Sequence, residues 1–210
     1  MGEEIQLSGD FGKTLREHLE KNFGPEDEKI DRSELNTLGS VESYPKAPTF
    51  GWNRENSPNL KVGIASNFNR MLSQRSIRIS KLRGFLEVRG FDLDQSESGL
   101  GNLNALFFDN VYASDQAADM SEGWCEMCLD ISVFLGEAFI RKHPEASWCI
   151  LEETDKQDLY FREIGLKRED HVFDVFSNVF GFGRNLVGGF EQTRWHREEL
   201  FQSFLQIGND

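Results

Sequence analysis

The sequence predicts a helix-rich α+β fold: five or six helices with a small antiparallel sheet or hairpin. Three observations predict it. Apolar side chains recur at three- and four-residue spacing through most of the chain after residue 60. Strand composition is confined to Ser147-Trp148-Cys149-Ile150-Leu151, with a return strand possible over Leu159–Ile164. Four of the five prolines (Pro25, Pro45, Pro48 and Pro58) fall in one stretch that a regular helix cannot occupy.

The 210 residues are enough for one core with an appendage. Residues 1–59 read as an N-terminal helix plus a proline-rich extended arm, and residues 60–210 as a single helix-rich core. Phe11, Leu15, Leu19 and Phe23 share one face of a short helix that Asp10 can cap and Gly24-Pro25 stops. The arm follows, with Tyr44, Phe50 and Trp52 as anchors on the core surface. From Leu60, the residues Phe68, Leu72, Ile79, Leu82 and Leu86 point one way, with a break predicted near Ser76 and an end at Gly90. Ser96 or Ser98 caps the next helix, whose inner face is Leu100, Leu103, Phe107 and Val111. A long helix is predicted over Asp115–Lys142, with Arg141, Lys142 and His143 complementing its C-terminal dipole and Pro144 ending it. After the hairpin, Val172, Phe173, Val175, Phe176, Val179 and Phe180 form a helix face that Gly181-Phe182-Gly183 is predicted to break. A last helix runs over Phe190–Ile207, anchored by Trp195, Leu200, Phe204 and Ile207.

Charge is the feature that bears most on function. The net charge is −13, which disfavours nucleic acid and anionic membranes and favours basic partners. Asp115, Asp119, Glu122, Glu126, Asp130 and Glu137 fall within an arc of about 80° on the long helix. Opposite them lie Met120, Trp124, Cys128, Ile131, Leu135 and Ala138. From Phe91 to Ile140 there are ten acids and no Lys or Arg. Exposed helix faces ordinarily mix charges, because like charges at i, i+4 repel. The six acids are therefore the candidate partner-binding residues, a ridge for docking a basic protein. The stretch Arg70, Arg75, Arg78, Lys81, Arg83 and Arg89 opposes this with one acid, Glu87. In a net-negative chain its simplest role is to face the acidic stretch within the fold.

No catalytic motif stands out. Trp124-Cys125-Glu126-Met127-Cys128 matches a redox W-C-x-x-C string, but it sits inside the predicted helix with carboxylates around it, and reads as packing. Three cysteines do not make a disulfide framework. Only one pair has zinc-like spacing and no Glu-x-x-His precedes any histidine, so neither metal nor cofactor is expected. Residues 181–189 are glycine-rich without the G-x-G-x-x-G or P-loop spacing, and read as an interhelical loop. No apolar run can span a membrane and Met1–Asp10 has no signal-peptide pattern, so a cytoplasmic location is expected.

The run Ile131-Ser132-Val133-Phe134-Leu135-Gly136-Glu137, followed by Trp148 on a predicted strand, resembles a motif of poorly characterised bacterial small α+β domains. In these, a helix ending Leu-Gly-Glu precedes a Trp-bearing strand. The similarity spans roughly residues 91–180. The chain departs from the usual glycine-rich link by carrying Pro144-Glu145-Ala146-Ser147. The resemblance implies a small α+β domain without established catalysis, some relatives being immunity-like. The expected function is a non-catalytic interaction protein, an immunity-type inhibitor that binds a basic toxin or enzyme. Two alternatives remain open. One is an enzyme using a pocket of Glu137, Trp148 and His171. The other is a regulatory domain holding a small ligand between the arm and the core.

Overall fold

The computed structural model describes residues 38–45, 60–112, 120–151, 164–190 and 193–207, with backbone alone for 60–64. Six helices and one three-stranded antiparallel sheet make up the described residues, which is the helix-rich α+β fold that the spacing predicts. In chain order these are α1 (Leu60–Glu87), α2 (Glu97–Asn110), α3 (Glu122–Lys142), β1 (Ser147–Ile150), β2 (Ile164–Arg168), β3 (His171–Phe173), α4 (Val175–Val187), α5 (Arg194–Glu198) and α6 (Leu200–Phe204). The predicted helix over Phe11–Phe23, and the arm residues Phe50 and Trp52, lie outside the described residues.

Helix α3 is the centre of the molecule. Trp124, Met127, Cys128, Ile131, Val133, Phe134 and Phe139 are all fully buried along it. A helix apolar on more than one face has to be covered on more than one side, and α1, α4 and α6 all pack on α3. It starts at Glu122 rather than at Asp115, because Ser121 caps it, its Oγ accepting from the Trp124 amide. Asp115 and Asp119 lie outside the described residues. Its C-terminus is as predicted: Arg141 and Lys142 occupy the last turn and the His143 amide donates to the Phe139 carbonyl.

Helix α1 is continuous through Ser76, where a break is predicted from the sequence. The interruption in its apolar stripe has a physical source. Arg78, a residue that pattern reading places outside, is fully buried on the inner face between Met71 and Leu82. Gly90, at φ +82°, closes the end of α1: its amide reaches the Glu87 carbonyl and that of Phe91 reaches Leu86. Helix α2 follows its prediction closely. Ser96 is the cap, accepting from the Gly99 amide, and Leu100, Leu103, Phe107 and Val111 are buried.

The sheet has the order β1-β2-β3. The return strand β2 is described over Ile164–Arg168, the rest of the predicted Leu159–Ile164 lying outside the described residues, and β3 takes Val172 and Phe173 out of the predicted helix. Trp148, Leu166 and Phe173 stand in register across the three strands and are all buried. That row meets the core at two places: Phe139 of α3 lies 5.4 Å from Phe173, and Phe176 of α4 lies 5.9 Å from Trp148. Helix α4 therefore starts later, at Val175, with Asp174 as its cap, accepting from the Ser177 amide at 2.9 Å.

Gly181-Phe182-Gly183 does not break α4. A Cβ at Gly183 would sit 2.3 Å from the Met120 sulfur, so glycine here lets the helix approach the entry to α3. Phe182 is buried, 5.6 Å from Phe107. The stop comes at Gly188-Gly189: the Gly189 amide reaches Leu186 and the Phe190 amide reaches Asn185.

The last predicted helix is two short helices, α5 and α6, hinged at Glu199. Asn104 of α2 explains the hinge. Its Nδ2 donates to the carbonyls of His196 and Arg197, and its Oδ1 accepts from the Phe201 amide at 3.1 Å. One buried side chain thus supplies partners to the backbone groups that the hinge removes from helical bonding. Trp195 and Phe204 are buried as predicted, together with Phe201 and Leu205.

Candidate functional site

The acidic stripe of α3 faces inward at its middle. Asp130 is 0% exposed, and its Oδ1 lies 2.6 Å from a terminal guanidinium nitrogen of Arg78, itself 1% exposed. Its Oδ2 lies 2.6 Å from Lys81 Nζ and accepts from the Tyr44 hydroxyl at 2.5 Å. Lys81 also donates to the Pro45 carbonyl at 2.8 Å and stands over the Tyr44 ring, 4.6 Å from its centre. Glu126, one turn earlier on α3, is buried as well. The seam thus sets one carboxylate, that of Asp130, against one guanidinium and one ammonium.

One helical repeat on, Glu137 receives two donors. Arg75 reaches its Oε1 at 2.9 Å, and the Trp148 indole N–H reaches the same oxygen at 2.7 Å. As residue numbers rise on α1 from Arg75 to Lys81, those of their partners on α3 fall from Glu137 to Asp130, so the two helices run antiparallel. The basic stretch of α1 faces the acidic stretch of α3, as the sequence leads one to expect.

Charges at this depth are tolerated only when paired and hydrogen-bonded. Tyr44 shows how tightly the seam is closed. Burial, followed by the Asp130 charge, pushes its phenol far above its ordinary 10.0, so it remains a neutral donor. The segment carrying Tyr44 is held at several points. Leu38, Val41 and Tyr44 are buried, the Leu38 amide donates to Asn110 Oδ1 at 2.5 Å, and the Tyr44 ring meets Phe85 edge-on at 4.8 Å.

Of the six acids read as a docking ridge, only Glu122 is described and fully on the surface. Glu126 and Asp130 are buried, Glu137 is half-buried in its two contacts, and Asp115 and Asp119 lie outside the described residues. The solvent-facing ridge is thereby corrected at Glu126 and Asp130. Helical periodicity defines a common face, but it does not say whether water or another helix covers it.

No family model, curated protein or solved structure matches the chain. The Leu-Gly-Glu and Trp elements do meet in space. A Cβ at Gly136 would lie 2.2 Å from the Trp148 ring, so glycine makes the slot that the indole fills while Glu137 takes its N–H.

The enzyme pocket of Glu137, Trp148 and His171 is brought together only in part. Glu137 and Trp148 touch. His171 is exposed on β3, two strands from Trp148 and one residue pair along, roughly 10 Å across and 7 Å down the sheet. Its ring contacts Phe173. His143 is engaged at the end of α3: its Nε2 lies 3.0 Å from the Leu205 carbonyl and its ring 4.6 Å from that of Phe139.

The W-C-x-x-C string begins in the first turn of α3, closer to the helix start than predicted. Trp124 and Cys128 are fully buried, Cys125 is half-buried, and all three cysteines are free thiols. Burial, then the neighbouring Cys125, pushes the Cys128 thiol well above its usual range, the reverse of what a reactive thiolate needs. Among the described residues no helix is long and apolar enough to cross a membrane.

Proposed function

We propose that the protein is a non-catalytic binding protein of the immunity-inhibitor kind. It docks a basic toxin or enzyme domain on the negative surface that its own fold leaves outside. The observation that carries this reading is how the charges are apportioned. Arg75, Arg78, Lys81, Lys142, Arg168, Arg194 and Arg197 pair with Glu137, Asp130, Glu97, Glu145, Glu198 and Asp109. These pairs hold one surplus positive charge between them. The chain's net charge is −13, so the residues outside these pairs carry a net −14. Such a field accelerates encounter with a basic partner and selects against acidic ones.

The docking surface under this proposal includes the exposed Glu122, and the charge pattern of the sequence adds Asp115 and Asp119 as further candidate docking residues. Glu42 adds to it, because it is exposed and follows Val41, whose carbonyl lies against Gly123. Asp130 contributes by fixing α3 rather than by touching the partner, and Glu126 is buried away from it.

The test compares the native chain with a variant in which Asp115, Asp119 and Glu122 are each replaced by Lys. Both are used to capture proteins from the host extract at low and at high salt. The native chain is expected to retain a protein of high isoelectric point at low salt and to release it at high salt. The variant is expected not to retain it. Equal retention by both chains, independent of salt, contradicts the reading.

A further inference from the structure

Two sulfur atoms meet where the chain enters α3, and the thiol of Cys125 lies against the backbone of the same methionine. Cys128 Sγ lies 3.8 Å from Met120 Sδ, and Cys125 Sγ lies 3.9 Å from the Met120 carbonyl oxygen. Cys125 and Cys128 are neighbours one turn apart on the same helix, where Cβ atoms stand about 5–6 Å from each other. We propose that Met120, Cys125 and Cys128 form a three-sulfur site for a soft monovalent metal ion, Cu(I) in chemical class.

Donor type selects the ion. Two thiolates and a thioether suit a soft, low-coordinate cation and leave a four-coordinate zinc site one ligand short. With metal–sulfur bonds of about 2.3 Å, a trigonal arrangement needs sulfur atoms about 4 Å apart, close to the 3.8 Å between Met120 and Cys128. The surroundings match as well. Met120 and Cys128 are buried, with Phe107 and Gly183 beside the Met120 sulfur, which keeps water from the ion, while the half-buried Cys125 gives it a way in.

Binding exchanges two thiol protons for one cation. Each S–H bond breaks, each sulfur keeps its electron pair to bond the metal, and both protons go to solvent. The metal keeps its oxidation state. The product carries one negative charge, and Arg184 follows Gly183, the α4 residue that lies against the Met120 sulfur. Cys149 lies on β1, away from the cluster, and serves as the internal control.

The experiment titrates the reduced full-length protein with Cu(I), without oxygen, against a chromophoric Cu(I) chelator. Expected are one ion per chain, two protons released and two thiols shielded from alkylation. Cys149→Ser should leave this unchanged. Cys125→Ser should lower the affinity at least a hundredfold, and Met120→Leu, which conserves volume, about tenfold. Circular dichroism of each variant checks that it is folded. The site is overturned if the native chain yields all its copper to the chelator. It is also overturned if Cys125→Ser or Met120→Leu binds as the native chain does, or if Cys149→Ser abolishes binding.

Discussion

Asp130 accepts three short contacts on two oxygens, from two parts of the chain: Arg78 and Lys81 of α1, and Tyr44 of the segment at residues 38–45. That carboxylate ties a core helix to α1 and to the chain that crosses both. Replacing Tyr44 by Phe removes a hydrogen bond to a charged group and should cost about 1.5–3 kcal/mol in urea unfolding at neutral pH. The pH dependence carries a sign. The folded phenol has a pKa raised above its ordinary 10.0, so its share of the stability is complete below pH 10. It is lost as pH rises from there toward the folded value. The native protein should lose stability more steeply above pH 10 than Tyr44→Phe does; parallel profiles would contradict a buried, neutral phenol. Gly136 poses the opposite case, a missing side chain. In an open helix, alanine would gain about 1 kcal/mol over glycine. Here the added carbon meets the Trp148 ring at 2.2 Å, and that ring is held by Glu137 and lies against Phe176. The clash should win, so Gly136→Ala should destabilise by about 1–3 kcal/mol and shift the tryptophan emission.

Among the elements, α2 was legible because what defines it is local. Ser96 caps it three residues before the amide it receives, and its buried face repeats every three or four residues. Elements whose limits depend on distant contacts were not legible. The passage through Gly181 and Gly183 reads as a break until Met120 is placed beside it. The split between α5 and α6 depends on Asn104, 97 residues before the amide that it caps. The acidic stripe belongs to the same class. Its periodicity is plain in the sequence, but the cation that neutralises Asp130 lies 52 residues away. The sulfur cluster was missed for another reason: Met120 counts as apolar in any hydropathy pattern, and its value as a ligand shows only beside Cys128. Asn104→Leu conserves the approximate size of the side chain while leaving the backbone of α5 and α6 without partners. Each orphaned group costs about 1–3 kcal/mol. Amide exchange should therefore speed up at residues 196–205 well before it does in α3, whereas uniform acceleration would mean that the hinge is not held by Asn104.

For the whole molecule, one stripe of acids does two jobs. Asp130 and Glu137 hold α3 against α1 and β1, and the acids outside the seam give the surface its sign. This division explains how a net charge of −13 coexists with a core built around an acidic helix. A basic partner would meet the surface without disturbing the seam, so reversing the outer acids should change binding with little change in stability. The most direct test of the division is equilibrium urea unfolding of Asp130→Ala beside Glu122→Ala. Removing one member of a buried ion pair leaves its partners uncompensated and should cost about 3–5 kcal/mol, while the surface change should stay within about 0.5 kcal/mol. If the two variants unfold at the same urea concentration as the native protein, Asp130 does not hold the seam and the central claim fails.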